Sequence, residues 1–131
     1  MPRASSLAVD GTVVPAASGP SVAGRRGANV TYDLSETAEM GFTVERPSPG
    51  RQAGNRCARP GKRNRKARRC TRWVRLRGGF AHPGQAGFNR FRFTGRLRNR
   101  KLARGRYRLL ATPTAGGRRG ATRRAGFRII R

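Results

Sequence analysis

Apolar and polar residues alternate with a period of two from residue 28 onward. Val30, Tyr32 and Leu34 alternate with polar neighbours, and Met40, Phe42 and Val44 repeat the arrangement after the turn-like Ser35-Glu36-Thr37. Successive side chains of a strand point to opposite faces, so each set predicts an antiparallel strand with one buried face. Four more segments follow: Trp73 to Leu76, Phe91 with Phe93 in NRFRFTG, Tyr107, Leu109 and Ala111 in RYRLLAT, and Phe127 with Ile129 in FRII. Gly, Pro, Asn or Thr bounds each of them. An antiparallel β-sandwich has about seven short strands in roughly 100 residues, so residues 28–131 are expected to form one all-β domain of that kind. Its core is expected to draw on Trp73, Phe80, Phe91, Phe93, Tyr107, Phe127 and Ile129. Residues 1–27 read as a flexible lead-in or linker. The only local structure expected there is a short hairpin, Leu7 to Val9 and Thr12 to Val14 about Asp10-Gly11, a dipeptide suited to a tight turn.

Charge changes this picture. The 131 residues hold 31 Lys and Arg against 5 Asp and Glu, a formal charge of +26, and such self-repulsion calls for screening by salt or an anionic partner. Asp10, Asp33, Glu36, Glu39 and Glu45 all precede residue 46, whereas Arg3, Arg25 and Arg26 are the only basic residues there. The 28 cations that follow have no carboxylate side chain within their own stretch. They are expected to be solvated, stacked on aromatics, bonded to carbonyls or paired outside the chain. Lysine occurs only at 62, 66 and 101. The arginine bias fits either bidentate recognition of phosphate and carboxylate or drift in a GC-rich genome. Arg stands between apolar residues in Phe91-Arg92-Phe93, Tyr107-Arg108-Leu109 and Phe127-Arg128-Ile129. Arg90 with Arg92, and Arg106 with Arg108, would then form rows on an outer face, read either as a solvated surface or as an anion platform. With 35% hydrophobic residues, 18 Gly and 8 Pro, the composition excludes a membrane span and a coiled coil without reaching that of a disordered chain.

Cys57 and Cys70 bracket the basic run CARPGKRNRKARRC. A disulfide would pin this self-repelling loop; two buried thiols are the alternative. Arg63, Arg65, Lys66, Arg68, Arg69 and Arg72 are the candidate anion-binding residues. Residues 62–77 also permit a rival reading, an arginine-rich helix that folds on nucleic acid, with Ala67, Cys70 and Val74 on one face, Trp73 stacking on a base, and Arg63, Lys66 and Arg69 on phosphates. Against a helix stand Thr71, Trp73, Val74 and Leu76, which favour a strand.

No catalytic constellation emerges, and neither an enzyme nor a cofactor is expected. His82 is the only general base with a neutral-range pKa, reads as a turn residue in AHPGQAG, and is followed by no Asp or Glu that would orient it. Two Cys and one His are too few for a structural zinc site. Gly61-Lys62 is followed by Arg63 where a phosphate loop needs Ser or Thr. GGRRG at 116–120 has no downstream acid, and Asp33, Glu36 and Glu39 lack the ligand density of a calcium loop. At the start of the chain, Asp10 and Gly11 interrupt the apolar stretch that a signal peptide needs.

From Ala28 to Arg131, the segments LSETAEMGFTVER, the Cys57–Cys70 loop, FRFTGRL, LARGRYRLLAT and FRIIR resemble basic immunoglobulin-like or fibronectin type III-like modules of secreted and surface bacterial proteins. The most specific element is Leu102-x-x-Gly105-x-Tyr107, similar to a tyrosine corner, in which a Tyr early in a strand bonds back to the preceding connection. Pro113 and GGRRGATRR depart from the usual hairpin before the last strand. The resemblance implies a non-catalytic accessory, adhesive or spacer module of an exported protein, extracellular or at the cell surface, within a larger polypeptide or as a monomer. Its expected partners are anionic cell-wall or surface polymers, with non-specific nucleic acid at low salt.

Overall fold

The computed structural model describes residues 1–9, 12–13, 28–97 and 100–130. Every regular element among them is a strand: β1 (Ala4–Val9), β2 (Thr12–Val13), β3 (Ala28–Leu34), β4 (Ala38–Ala53), β5 (Arg56–Ala58), β6 (Arg69–Arg75), β7 (Phe80–Gly84), β8 (Gly87–Phe93), β9 (Arg96–Leu97), β10 (Arg100–Lys101), β11 (Gly105–Ala115), β12 (Arg118–Arg119) and β13 (Arg123–Ile129). One sheet has the order β1-β3-β8. The other runs β2-β13-β11-β4, with β5, β6 and β7 all paired to β4 and β12 paired to β11. The β2–β13 pair is parallel, the other pairs are antiparallel, and β9 with β10 forms a separate ribbon.

The alternating residues converge where the two sheets face each other. Val30, Tyr32 and Leu34 from β3 and Phe93 from β8 share one buried cluster with Met40, Phe42 and Val44 from β4, Leu109 and Ala111 from β11, and Phe127 and Ile129 from β13. Aromatic rings join the sheets directly. Tyr32 meets Phe42 edge-on at 6.0 Å between centroids, Phe91 meets Phe42 at 5.0 Å, and Phe93 meets Phe127 at 5.5 Å. Such edge and tilted arrangements suit the ring quadrupoles and add to the burial of large apolar area.

Several elements differ from the sequence reading, each for a physical reason. Ala4–Val9, assigned to the lead-in, is strand β1: Ala4 pairs with Leu34 and Val9 with Val30, and Pro2 and Ala4 are buried. A Cβ on Gly120 would overlap the Pro2 carbonyl oxygen, so the start of the chain packs closely on the β12–β13 connection. The expected Leu7–Val14 hairpin is replaced by pairing of β1 with β3 and β2 with β13; Asp10, Gly11 and Val14 lie outside the described residues. β4 runs on through Pro47 and Pro49, beyond the Glu45 end of its pairing with β11, where it pairs with β6. Proline is tolerated there because the strand is no longer laddered to β11.

His82 is not in a turn. It lies in β7, its Nδ1 is 2.6 Å from the Tyr32 hydroxyl, and its ring stacks on Phe91 at 4.6 Å. Trp73, expected in the core, is half-buried on the outer face of the second sheet. It sits opposite Pro47, in register with Arg75 opposite Glu45, while Met40, Phe42 and Val44 take the inner face.

Burial pushes the phenols of both Tyr32 and Tyr107 above their ordinary value, with a smaller opposing pull from the Arg46 charge on Tyr107. A raised folded-state pKa means that the native protein holds these protons longer than the unfolded chain does. The stability this carries is fully present below the unfolded value of about 10 and is lost as pH rises through the folded values. Urea midpoints are therefore expected to fall above about pH 10, with tyrosinate absorbance appearing together with unfolding. Tyrosinate formation at the ordinary pKa without loss of structure would contradict this.

Candidate functional site

The disulfide-bracketed loop is stapled across β4. Arg51 pairs with Ala58 of β5 and with Arg69 of β6, so these two short strands flank β4 on opposite sides. The Cys57–Cys70 disulfide joins them, with 6.0 Å between the Cα atoms. Glycine is required beneath it: a Cβ on Gly50 would overlap Cys57 Sγ and come within 3.0 Å of the Ala58 carbonyl oxygen. Beyond the staple, Asn64 organises the turn. Its Oδ1 accepts from the Gly61 amide at 2.8 Å, and its Nδ2 donates to the Arg59 carbonyl at 3.1 Å. Arg51 Nη1 donates to the Ala67 carbonyl at 2.8 Å, holding the loop against β4.

This arrangement excludes the helix considered for residues 62–77. The first part is a turn and the second is β6, because Thr71, Trp73 and Val74 suit a strand and the cross-link fixes Cys70 beside β4. Arg63, Arg65, Lys66, Arg68 and Arg69 are exposed, and their side chains have no bonding partner among the described residues. Arg72 departs from this set. It is half-buried in β6, and its Nε is buried without a hydrogen-bond partner.

A second group of cations lies on the outer face of the larger sheet. There Arg106 stands directly opposite Arg128, Arg108 opposite Gly126, and Leu110 opposite Arg124. Arg108 is held in place: its Nε donates to Glu45 Oε1 at 2.5 Å, and its guanidinium lies 4.4 Å from the Trp73 ring centroid. An acid from before residue 46 thus reaches a cation beyond it, so the carboxylate-free stretch does contribute to an internal ion pair. Arg106, Arg124 and Arg128 are exposed and have no partner among the described residues. Together with Trp73, Arg108 and Gly126 they line a groove of about 550 Å³. The floor is open because Gly126 has no side chain, and a Cβ there would touch only the Tyr107 carbonyl oxygen, at 4.0 Å.

The sequence singles out Arg106, Arg108 and Arg128 as outward-facing strand residues but not Arg124. The signal for Arg124, alternation in RRAGFRII, is present; the cross-strand register that brings the four together is not. Arg90 and Arg92 occupy the outer face of β8, away from this groove.

Tyr107 bonds back to the connection that precedes its strand. Tyr107 is buried near the start of β11, and its hydroxyl donates to the Ala103 carbonyl at 2.6 Å. The buried Leu102 donates its amide to the Gly95 carbonyl at 3.0 Å, and Gly105 opens the strand. Among the described residues no group of three or more His, Cys, Asp or Glu is placed to hold a metal ion, and no helix is long and apolar enough to cross a membrane. The candidate site is an arginine surface in two parts, a stapled loop and a sheet groove. No protein-family model matches the chain, and no curated protein matches it either.

Proposed function

We propose that the chain is a non-catalytic immunoglobulin-like module of an exported bacterial protein, serving in adhesion or as a spacer and binding anionic cell-wall or surface polymers through its arginines. The observation that carries the binding reading is the set of exposed cations on the loop and sheet face without partners among the described residues. On that face Glu45 is already engaged by Arg108, and Glu39 lies six residues away along β4. Guanidinium groups left in this state gain most from multivalent oxyanions, which they can bond in a bidentate way.

Two features favour the immunoglobulin-like part. The order β1-β3-β8 facing β13-β11-β4 corresponds to A-B-E facing G-F-C in such domains, and the Tyr107 hydrogen bond to Ala103 has the form of a tyrosine corner. The Cys57–Cys70 disulfide suits an oxidising compartment. Nucleic acid enters this reading as one polyanion among others, held non-specifically at low salt, because the helix that would have entered a groove is absent.

Two measurements test it. Added salt, or heparin at low salt, is expected to raise the melting temperature by screening or neutralising the basic surface; saturation to about 100 times Kd stabilises by about 2.7 kcal/mol. Affinities for heparin, polyphosphate and DNA of matched charge density are expected to fall steeply and in parallel as salt rises. A flat thermal response, or strong preference for one DNA or RNA sequence, would overturn the reading.

A further inference from the structure

We propose that the groove over Gly126 is the seat of a tetrahedral oxyanion, a phosphate or sulfate ester carried by a linear polyanion. The inference rests on the polyanion reading above and assigns it to the β11–β13 face instead of the stapled loop. Three observations converge there. The surface is concave, about 550 Å³, and its floor is bare backbone at Gly126. Three of its guanidiniums, from Arg106, Arg124 and Arg128, have no partner among the described residues, whereas the fourth is anchored by Glu45 and Trp73. Arg106 and Arg128 stand directly opposite one another, a like-charge cross-strand pair that destabilises a sheet unless an anion lies between them. Guanidinium forks also match the geometry of a tetrahedral oxyanion, and a preorganised Arg108 has less freedom to lose on binding.

The chemistry of the walls points to esters and away from bases. Sequence-tolerant binding of single strands relies on aromatic faces on which bases stack. In this groove Tyr107 and Phe127 are buried beneath the sheet, and one face of the half-buried Trp73 ring is taken by Arg108. What the groove mainly presents is positive charge around open backbone, which favours oxyanions over stacked bases.

The test uses the full oxidised chain and calorimetric binding at near-physiological salt, with a heparin hexasaccharide, inorganic tripolyphosphate and an oligodeoxynucleotide as probes. Gly126→Val fills the groove without changing charge; a β-branched residue suits the strand, so the melting temperature is expected to hold or rise while affinity for the ester probes drops about tenfold or more. Gly126→Ala is the milder companion. The double variant Arg106→Gln with Arg128→Gln is expected to lose about a hundredfold, roughly tenfold per charge-assisted contact. A charge-matched loop variant, Arg63→Gln with Arg65→Gln, should lose only a few-fold. Preference for tripolyphosphate or for heparin identifies the ester, and either supports the seat. Equal losses in the two double variants, with both Gly126 variants binding like the parent, would remove the seat and leave the polyanion reading standing. An oligodeoxynucleotide bound more tightly than both esters and indifferent to Gly126→Val would also remove it. No binding of any probe by the parent chain would remove both.

Discussion

Replacing Phe42 with alanine is expected to lower the unfolding free energy by about 3–5 kcal/mol, the range for truncating a buried aromatic. Phe42 is 1% exposed and is the ring through which both sheets and the β7 side strand communicate. It meets Tyr32 of β3 at 6.0 Å, Phe91 of β8 at 5.0 Å, and stacks on Phe80 of β7 at 5.0 Å. Removing it opens a void that no one side can fill, because the surrounding rings belong to three separate strands and cannot collapse together. A domain of this size holds about 5–15 kcal/mol in total, so the variant should lose roughly a fifth of its stability or more. Phe42→Leu, which keeps most of the volume, should cost less than half as much. Urea denaturation with an unchanged m-value is the check. A loss below about 1 kcal/mol would mean that the facing sheets do not depend on this contact.

The same ring shows what the sequence could disclose. Met40-x-Phe42-x-Val44 was readable because period-two burial leaves a period-two pattern, and the same holds for β3, β8, β11 and β13. Three elements carried no such mark. β1 is buried mainly at Ala4, with Pro2 buried just before it, and Leu7–Val9 suggests only an arm of a local hairpin, with nothing to show that the strand starts at Ala4 and pairs with β3. The second half of β4 is hidden because Arg46 and Ser48 end the apolar alternation and Pro47 and Pro49 read as strand breakers, although the backbone remains extended. β7 reads as a turn because FAHPG contains Pro and Gly; its place is decided by the Tyr32–His82 hydrogen bond and the Phe42–Phe80 stack, both contacts with residues 38 or more positions away.

The candidate site divides in the same way. Cys57 and Cys70 were legible because they bracket one loop, and Tyr107 because its motif is local. The groove was not. Arg106 and Arg128 are 22 residues apart in the chain and come face to face only through the β11–β13 register. Hydrophobicity points Trp73 to the core, but its face is dictated by pairing with Pro47 on a strand whose extension the prolines conceal.

Loss of the Cys57–Cys70 cross-link, by reduction or by Cys57→Ser with Cys70→Ser, is expected to cost about 3 kcal/mol, the chain-entropy value for a loop of this length. Charge makes the loss condition-dependent. Arg59, Lys62, Arg63, Arg65, Lys66, Arg68 and Arg69 all lie between the two sulfurs in sequence. Once the staple is gone the loop can relieve their repulsion by opening, and that gain is largest when the Debye length exceeds about 10 Å, below 0.1 M salt. Trypsin cleavage within residues 59–69 under native conditions should therefore accelerate on reduction, and more so at low salt. Gly50 supplies an internal control. Gly50→Ala forces a methyl group into Cys57 Sγ in the oxidised protein, but that collision can relax when the staple is absent. The two changes should thus be non-additive, with Gly50→Ala costing much more in the disulfide-bonded chain than in the Cys→Ser background and a coupling of about 0.5–3 kcal/mol in a double-mutant cycle. A coupling near zero would show that the disulfide does not pass over Gly50, and the loop would lose its fixed position on β4.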